Sequence, residues 1–193
     1  MKIFQDHRWS IATGFILTLV LVFVGVQSTL AHGGHYEPIS VDLLVRWAHI
    51  IAGITWIGLL YYFNLVQVPS MTGLTAETKA DIFKEGSIVR RALFWFRWGA
   101  MFTLIFGLIL MAKLGAHAST DIKIGAAFGI IMWANVLFVI WPAQKKVIGM
   151  VEATAEAKLA AGKRALIASR TNTILSIPML FFMASSAHFN IFN

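Results

Sequence analysis

RWAHIIAGITWIG, residues 46–58, is an apolar, helix-forming stretch with one imidazole near its start. His49, Gly53 and Trp56 are spaced i, i+4 and i+7, so they share one face of a helix. The glycine predicts a flat recess one turn from the ring, into which a planar ligand fits. Arg46 lies one turn earlier on nearly the same face, where its cation can meet the carboxylates of such a ligand.

The composition indicates a membrane protein. Hydrophobic residues make up 58% of the 193 positions and charged residues 13%, whereas soluble domains are usually about 45–50% apolar. The net charge of +7 does not indicate nucleic-acid binding, because the basic residues flank apolar segments, where membrane topology uses them. Without cysteine the chain cannot form a disulfide, a thiolate metal site, a covalent c-type haem or an iron–sulfur cluster.

Five apolar segments are long enough to cross about 30 Å of hydrocarbon as helices. They are residues 11–31, 42–68, 98–118, 124–143 and 171–191. The first also resembles a secretory signal with a cleavage site after Ala31, but we expect it to be retained as a span. The sequence therefore predicts one all-α domain, residues 1–193, that forms an integral membrane bundle of five transmembrane helices.

Two connections have their own composition. Residues 72–97 mix cations with apolar and aromatic side chains, which predicts a helix lying in the membrane interface. Residues 145–170 are rich in Ala, Lys and Glu, which predicts a solvated helix that extends the fourth span. Asn64 lies in the second predicted span, Asn135 in the fourth and Asn172 in the fifth. We expect these side chains to form hydrogen bonds between helices.

The charge distribution predicts the orientation of the spans. With the amino terminus in the cytoplasm, 13 of the 16 Lys and Arg residues lie on the cytoplasmic side, in agreement with the positive-inside rule. The carboxyl terminus then lies outside. This topology places five of the six histidines at or near the outer side of the membrane: His32, His35, His49, His117 and His188.

An ionisable side chain inside a span is costly and is a candidate functional residue. Neutral imidazole ligates haem iron well, and a bundle of small and aromatic residues suits a porphyrin. We therefore predict a b-type haem, with His49 as the principal ligand, His188 as the second and His117 in reserve. Arg46 is the expected partner of the haem propionates.

Other interpretations of these histidines remain open. His49 can instead be a polar residue bonded to a neighbouring helix, and His117 and His188 can be interfacial residues near headgroups. His32-Gly-Gly-His35 can bind copper or zinc, because two imidazoles on a pliable turn reach one ion easily, or it can be a solvated linker.

Several blocks of the chain resemble the membrane domain of bacterial membrane-bound urate oxidases (urate hydroxylases). The blocks are WAHIIAGITWIG (47–58), YFN (62–64), VP (68–69), FRWGAMF (96–102), WPAQK (141–145) and SRTNTILSIPMLFF (169–182). The helix with histidine and tryptophan is also similar, more distantly, to those of copper-resistance membrane proteins and the haem-containing protoporphyrinogen oxidase.

The resemblance implies a redox protein of the bacterial inner membrane that is linked to quinone or cytochrome, with His49 as a haem ligand. The chain has no Cys-x-x-Cys-His and so lacks the c-type cytochrome of the urate enzymes. Urate oxidation by this chain alone is therefore not expected. If electrons leave this chain, a separate acceptor is needed, and the expected partner is a c-type cytochrome or another membrane redox subunit.

Two alternatives come from other functional classes. A copper-handling or other metal-binding subunit would use His32, His35 and the neighbouring outer histidines. An accessory subunit of a larger respiratory or oxygenase assembly would carry no cofactor and would use its aromatic and small-residue helices for packing.

Overall fold

A computed structural model describes residues 5–35, 40–189 and 191–192. Every regular element in these ranges is a helix, which confirms the all-α prediction. Lys2, which contributes to the predicted orientation, and position 190 of the predicted fifth span lie outside them. The chain divides into two compact units, residues 1–40 and 41–193.

The first unit contains one long helix, α1 (His7–Ala31). The Asp6 side chain accepts a hydrogen bond from the backbone N–H of Arg8 at 2.9 Å and caps the helix. Thr13, Thr18 and Thr29 each donate to the carbonyl oxygen four residues earlier. Their hydroxyl groups are therefore satisfied within the helix itself.

The described part of the second unit contains six longer α-helices and one short helical segment, Val68–Ser70. The longer helices are α2 (Val41–Tyr61), α3 (Ala76–Phe83), α4 (Ile88–Leu114), α5 (Thr120–Ala134), α6 (Trp141–Val147) and α7 (Ala155–His188). Together with α1, the helical stretches Val41–Gly73, Ile88–His117, Thr120–Val147 and Ala155–His188 are long and apolar enough to cross a membrane. The described residues thus contain the five predicted candidate spans.

The prediction of one helix over residues 72–97 is wrong in extent, because α3 ends at Phe83 and α4 begins at Ile88. The location of this segment in the membrane interface stays a prediction. Gly86 has a φ of 74°, a left-handed conformation that glycine adopts without strain, and the chain turns there into α4. The aromatic residues at 94–98 consequently belong to a membrane-length helix.

The prediction that residues 145–170 extend the fourth span is also wrong. Helix α6 ends at Val147, and Gly149 follows with a φ of 73°. Thr154 then caps α7 by accepting from Ala157 N at 3.2 Å. The residues rich in Ala, Lys and Glu therefore begin α7, whose 34 residues extend over about 51 Å.

Two π-helical turns interrupt the spans that begin with α2 and α5. They are Tyr62–Gln67 and Asn135–Ile140. Val68 N donates to Phe63 O, and Trp141 N donates to Val136 O, five residues earlier in each case. Each turn ends two residues before a proline, Pro69 or Pro142, which has no N–H to donate. The wider turn thus precedes a position where the α-helical bond pattern cannot continue.

Small residues bring the helices of the second unit into close contact. Gly99 of α4 lies against the backbone of Trp56 in α2, and Gly125 of α5 lies against Met183 in α7. Tyr61 Oη and Ser176 Oγ are 2.9 Å apart and connect α2 to α7. Glycines that allow two backbones to approach are typical of membrane helix pairs.

The ends of these helices define two ends of the second unit. The start of α2 meets the end of α4 through an ion pair between Asp42 and Lys113. The start of α5 meets the chain just after α7, where Asp121 accepts from Ile191 N. We call this end the histidine end and the opposite one, which carries residues 76–97 and 141–170, the basic end.

Candidate functional site around His49

The His49 side chain has one defined partner. Its Nδ1 lies 2.9 Å from the backbone carbonyl oxygen of Thr103 in α4. A carbonyl oxygen only accepts, so Nδ1 carries the hydrogen and Nε2 carries the lone pair of the neutral imidazole. Within the described residues Nε2 forms no hydrogen bond. Histidines that ligate metals commonly donate their other ring N–H to a backbone carbonyl in this way.

Gly107 makes room for this ring. A Cβ built at Gly107 would lie 3.0 Å from His49 Cε1 and 3.4 Å from Nδ1. Gly99, Thr103 and Gly107 are spaced four residues apart and form one face of α4. Thr103 was not among the predicted site residues. The four-residue spacing of small side chains indicates which face of α4 can approach another helix closely, although it does not indicate the carbonyl group that bonds to His49.

Gly53 and Trp56 lie on the side of α2 that packs on α4. A Cβ at Gly53 would meet Thr103 Cγ2 at 3.9 Å. Trp56 is 2% exposed, and its Nε1 has no hydrogen-bond partner among the described residues. In the structure both residues therefore belong to a helix contact. The role of this face in binding a planar ligand stays a prediction.

The connection between α2 and α7 sets the level of His188. Tyr61 bonds to Ser176 and Asn64 bonds to Ser169, so the two helices are antiparallel. His49 lies twelve residues before Tyr61, and His188 lies twelve residues after Ser176. At 1.5 Å per residue, both are about 18 Å from that bond, in the same direction. The two imidazoles therefore belong to the same end of the unit.

The remaining predicted residues are solvent- or lipid-accessible. Arg46, His117 and His188 are exposed, and His117 ends the short 3-10 turn Gly115–His117 after α4. In the first unit His32 and His35 are exposed, and His32 Nδ1 lies 2.7 Å from Ser28 O. Within the described residues no three His, Cys, Asp or Glu side chains form a metal-binding group.

Asp121 is a buried carboxylate that was not among the predicted site residues. It is fully buried, and its oxygens accept from Ile191 N at 2.6 Å and from Phe192 N at 3.4 Å. Its place in the first turn of α5 suits a negative charge. Asp121 thus anchors the segment that follows His188 to the start of α5.

The predicted hydrogen bonds of three asparagines to neighbouring helices are confirmed. Asn64 Nδ2 donates to Ser169 Oγ at 2.8 Å. Asn135 Nδ2 donates to Asn172 Oδ1 at 2.9 Å, and Asn172 Nδ2 donates to Met132 O at 2.9 Å. These bonds connect α7 to the spans that begin with α2 and α5 at the level of the two π-helical turns.

Comparison with known proteins covers part of the chain. No curated protein and no solved structure matches it. Residues 113–193 match the family model described as urate oxidase N-terminal. His117 and His188 lie inside this match, whereas Arg46 and His49 lie outside it. Over these residues the chain is therefore similar to the urate oxidase N-terminal family, as the sequence resemblance indicated.

Proposed function

We propose that this chain is a membrane redox protein that binds a b-type haem near the periplasmic face of the bacterial inner membrane. The observation that carries the proposal is the hydrogen bond from His49 Nδ1 to Thr103 O. It holds the ring in the tautomer whose Nε2 can ligate iron. The same bond is also the one expected of the alternative interpretation, a polar residue bonded to a neighbouring helix, and the visible spectrum distinguishes the two.

His49 and His188 lie at the same distance along the helix axes from the bond between Tyr61 and Ser176, and this supports His188 as the second ligand. The His49 side chain itself is only half-buried. The core instead lies deeper, around Leu60, Phe63 and Phe96. A flat ligand at the histidine end can therefore reach His49 without displacing the core. His117 remains the reserve ligand, and Arg46 remains the propionate partner.

The charge distribution supports the orientation. The described cations at the histidine end are Arg46, Lys113 and Lys123, and Lys113 is paired with Asp42. Most other Lys and Arg residues lie at the basic end, which the positive-inside rule assigns to the cytoplasm. The histidine end then faces the periplasm.

A bound haem would supply a one-electron couple. The residues of the chain position and ligate it, and the electron partner is a c-type cytochrome or another membrane redox subunit. The similarity of residues 113–193 to the urate oxidase N-terminal family supports membership of a larger oxidase assembly.

The test is the visible spectrum of the protein extracted in detergent from haem-replete cells. We expect a Soret band, with split visible bands after reduction by dithionite. His49→Ala should abolish the Soret band, and His188→Ala should convert a six-coordinate spectrum into a five-coordinate one. His7→Ala, which changes an exposed histidine of the first unit, is the matched control.

Far-UV circular dichroism establishes that each variant is folded. A wild-type protein without a Soret band refutes the proposal, and so does a folded His49→Ala protein that retains the full band.

His32 favours a second candidate function, copper binding in the first unit. Its Nδ1 is bonded to Ser28 O at 2.7 Å, which leaves Nε2 available to a metal. Metal analysis of the purified protein distinguishes this candidate from haem: copper that is lost in the His32→Ala, His35→Ala double variant supports it. Equal copper in the double variant and the wild type contradicts it.

A further inference from the structure

An open cleft of about 490 Å³ lies at the basic end of the second unit, far from His49. The start of α4 and the chain after α6 form its walls. Three arginines line it, Arg90, Arg91 and Arg97, together with one acidic residue, Glu85. The cations therefore outnumber the carboxylates in the cleft.

Arg90 is held in a fixed position. Its Nε donates to Phe83 O at 3.0 Å, and its Nη2 donates to Ile148 O at 2.6 Å. These carbonyl groups lie at the carboxyl ends of α3 and α6, where the negative ends of the two helix dipoles stabilise a cation. Arg90 therefore joins two helix ends, and it forms no ion pair with an acidic side chain among the described residues.

Arg97 is held by an aromatic ring. Its Cζ lies 3.9 Å from the centre of the Trp141 ring, a cation–π contact. Such contacts fix the plane of a guanidinium group and leave its N–H groups available at the edge. Arg91 lies on the exposed side of α4. The cleft thus combines two positioned guanidinium groups with a third that can move.

The start of α4 adds to this positive field. Ser87 precedes the helix, but its hydroxyl donates to Ile82 O at 2.6 Å and does not cap the first turn. The first N–H groups of α4 therefore lack a side-chain acceptor, and the positive end of the helix dipole is near Gly86 in the cleft wall.

We propose that this cleft binds the phosphate headgroup of an acidic phospholipid. Arginine forms paired hydrogen bonds with phosphate oxygens, and basic pockets on the cytoplasmic side of membrane helices suit such headgroups. Phe94 is 49% exposed and Trp95 is 55% exposed. Both line the cleft and offer an apolar surface to the acyl chains of a lipid. Free phosphate has no acyl chains and would gain nothing from that surface.

The inference rests on the proposed insertion of the unit in a membrane, and it does not depend on haem. The full chain in mixed micelles is titrated with phosphatidylglycerol and with phosphatidylcholine, and binding is followed by native mass spectrometry. We expect selective binding of phosphatidylglycerol. Arg91→Gln should weaken that binding about tenfold, because one charge-assisted contact is lost. Binding of phosphatidylcholine should not change.

Lys158→Gln is the matched control, since it removes one exposed positive charge outside the cleft and should leave the selectivity intact. Equal binding of the two lipids, or an equal loss in both variants, overturns the proposal. Full displacement of the lipid by millimolar inorganic phosphate also overturns it, because the site would then recognise the ion alone. The Soret band of Arg91→Gln, recorded in parallel, reports the haem proposal separately.

Discussion

Replacement of single glycines by alanine should distinguish backbone contact from side-chain contact at the α2–α4 interface. A Cβ at Gly99 would lie 3.1 Å from Trp56 N and 3.3 Å from Trp56 Cα. A Cβ at Gly107 would meet the His49 ring instead, at 3.0 Å. Gly58 has no described atom within 4 Å of the added Cβ and serves as the control.

The expected order of stability follows from what each methyl group meets. Alanine gains up to about 1 kcal/mol of helix propensity over glycine, and this gain is common to all three positions. At Gly99 the two backbones must separate, which costs about 1–3 kcal/mol. At Gly107 the ring of His49 can turn away, with the loss of its hydrogen bond to Thr103, worth about 0.5–1.5 kcal/mol.

We therefore expect Gly58→Ala to be the most stable variant, Gly107→Ala to be close to wild type and Gly99→Ala to be the least stable. The measurement is reversible unfolding in mixed micelles of mild detergent and dodecyl sulfate, followed by far-UV circular dichroism. Gly107→Ala should in addition weaken the proposed Soret band, because it displaces His49. A Gly99→Ala protein as stable as Gly58→Ala would refute the close backbone contact.

Two further predictions concern buried polar side chains. Asn172→Ala removes the acceptor of Asn135 and the donor to Met132 O. We expect it to lower the free energy of unfolding by about 1–3 kcal/mol in the same assay. An unchanged free energy of unfolding would show that these bonds do not stabilise the fold. Asp121→Ala leaves Ile191 N without its acceptor. We expect a similar loss and faster amide exchange at Ile191, and unchanged exchange there would contradict the anchoring role of Asp121.

The number of candidate spans could be predicted from the sequence because helix length and hydropathy are local properties. The ends of the helices could not be predicted from composition, since backbone turns and caps decide them. Gly86 and Gly149 adopt positive φ values, and Thr154 caps α7. The composition of residues 72–97 and 145–170 indicated helices, which form, but it did not indicate the breaks at Gly86 and Gly149 that set where those helices begin and end.

The candidate site was predictable in part. An imidazole in an apolar helix indicated His49 without any tertiary information. Its partner is a backbone carbonyl, that of Thr103, and every residue type carries that group, so side-chain chemistry could not indicate it. The burial of Asp121 depends on the return of the chain after α7, a long-range contact that no local pattern encodes.

The π-helical turns at Tyr62–Gln67 and Asn135–Ile140 also affect how related sequences should be aligned. A turn that accommodates one extra residue rotates everything beyond it by about 100° around the helix axis. A helical wheel drawn through either turn therefore assigns later side chains to the wrong side. A homologue with one residue fewer in such a turn would have a regular α-helix there, and its following proline would point in a different direction.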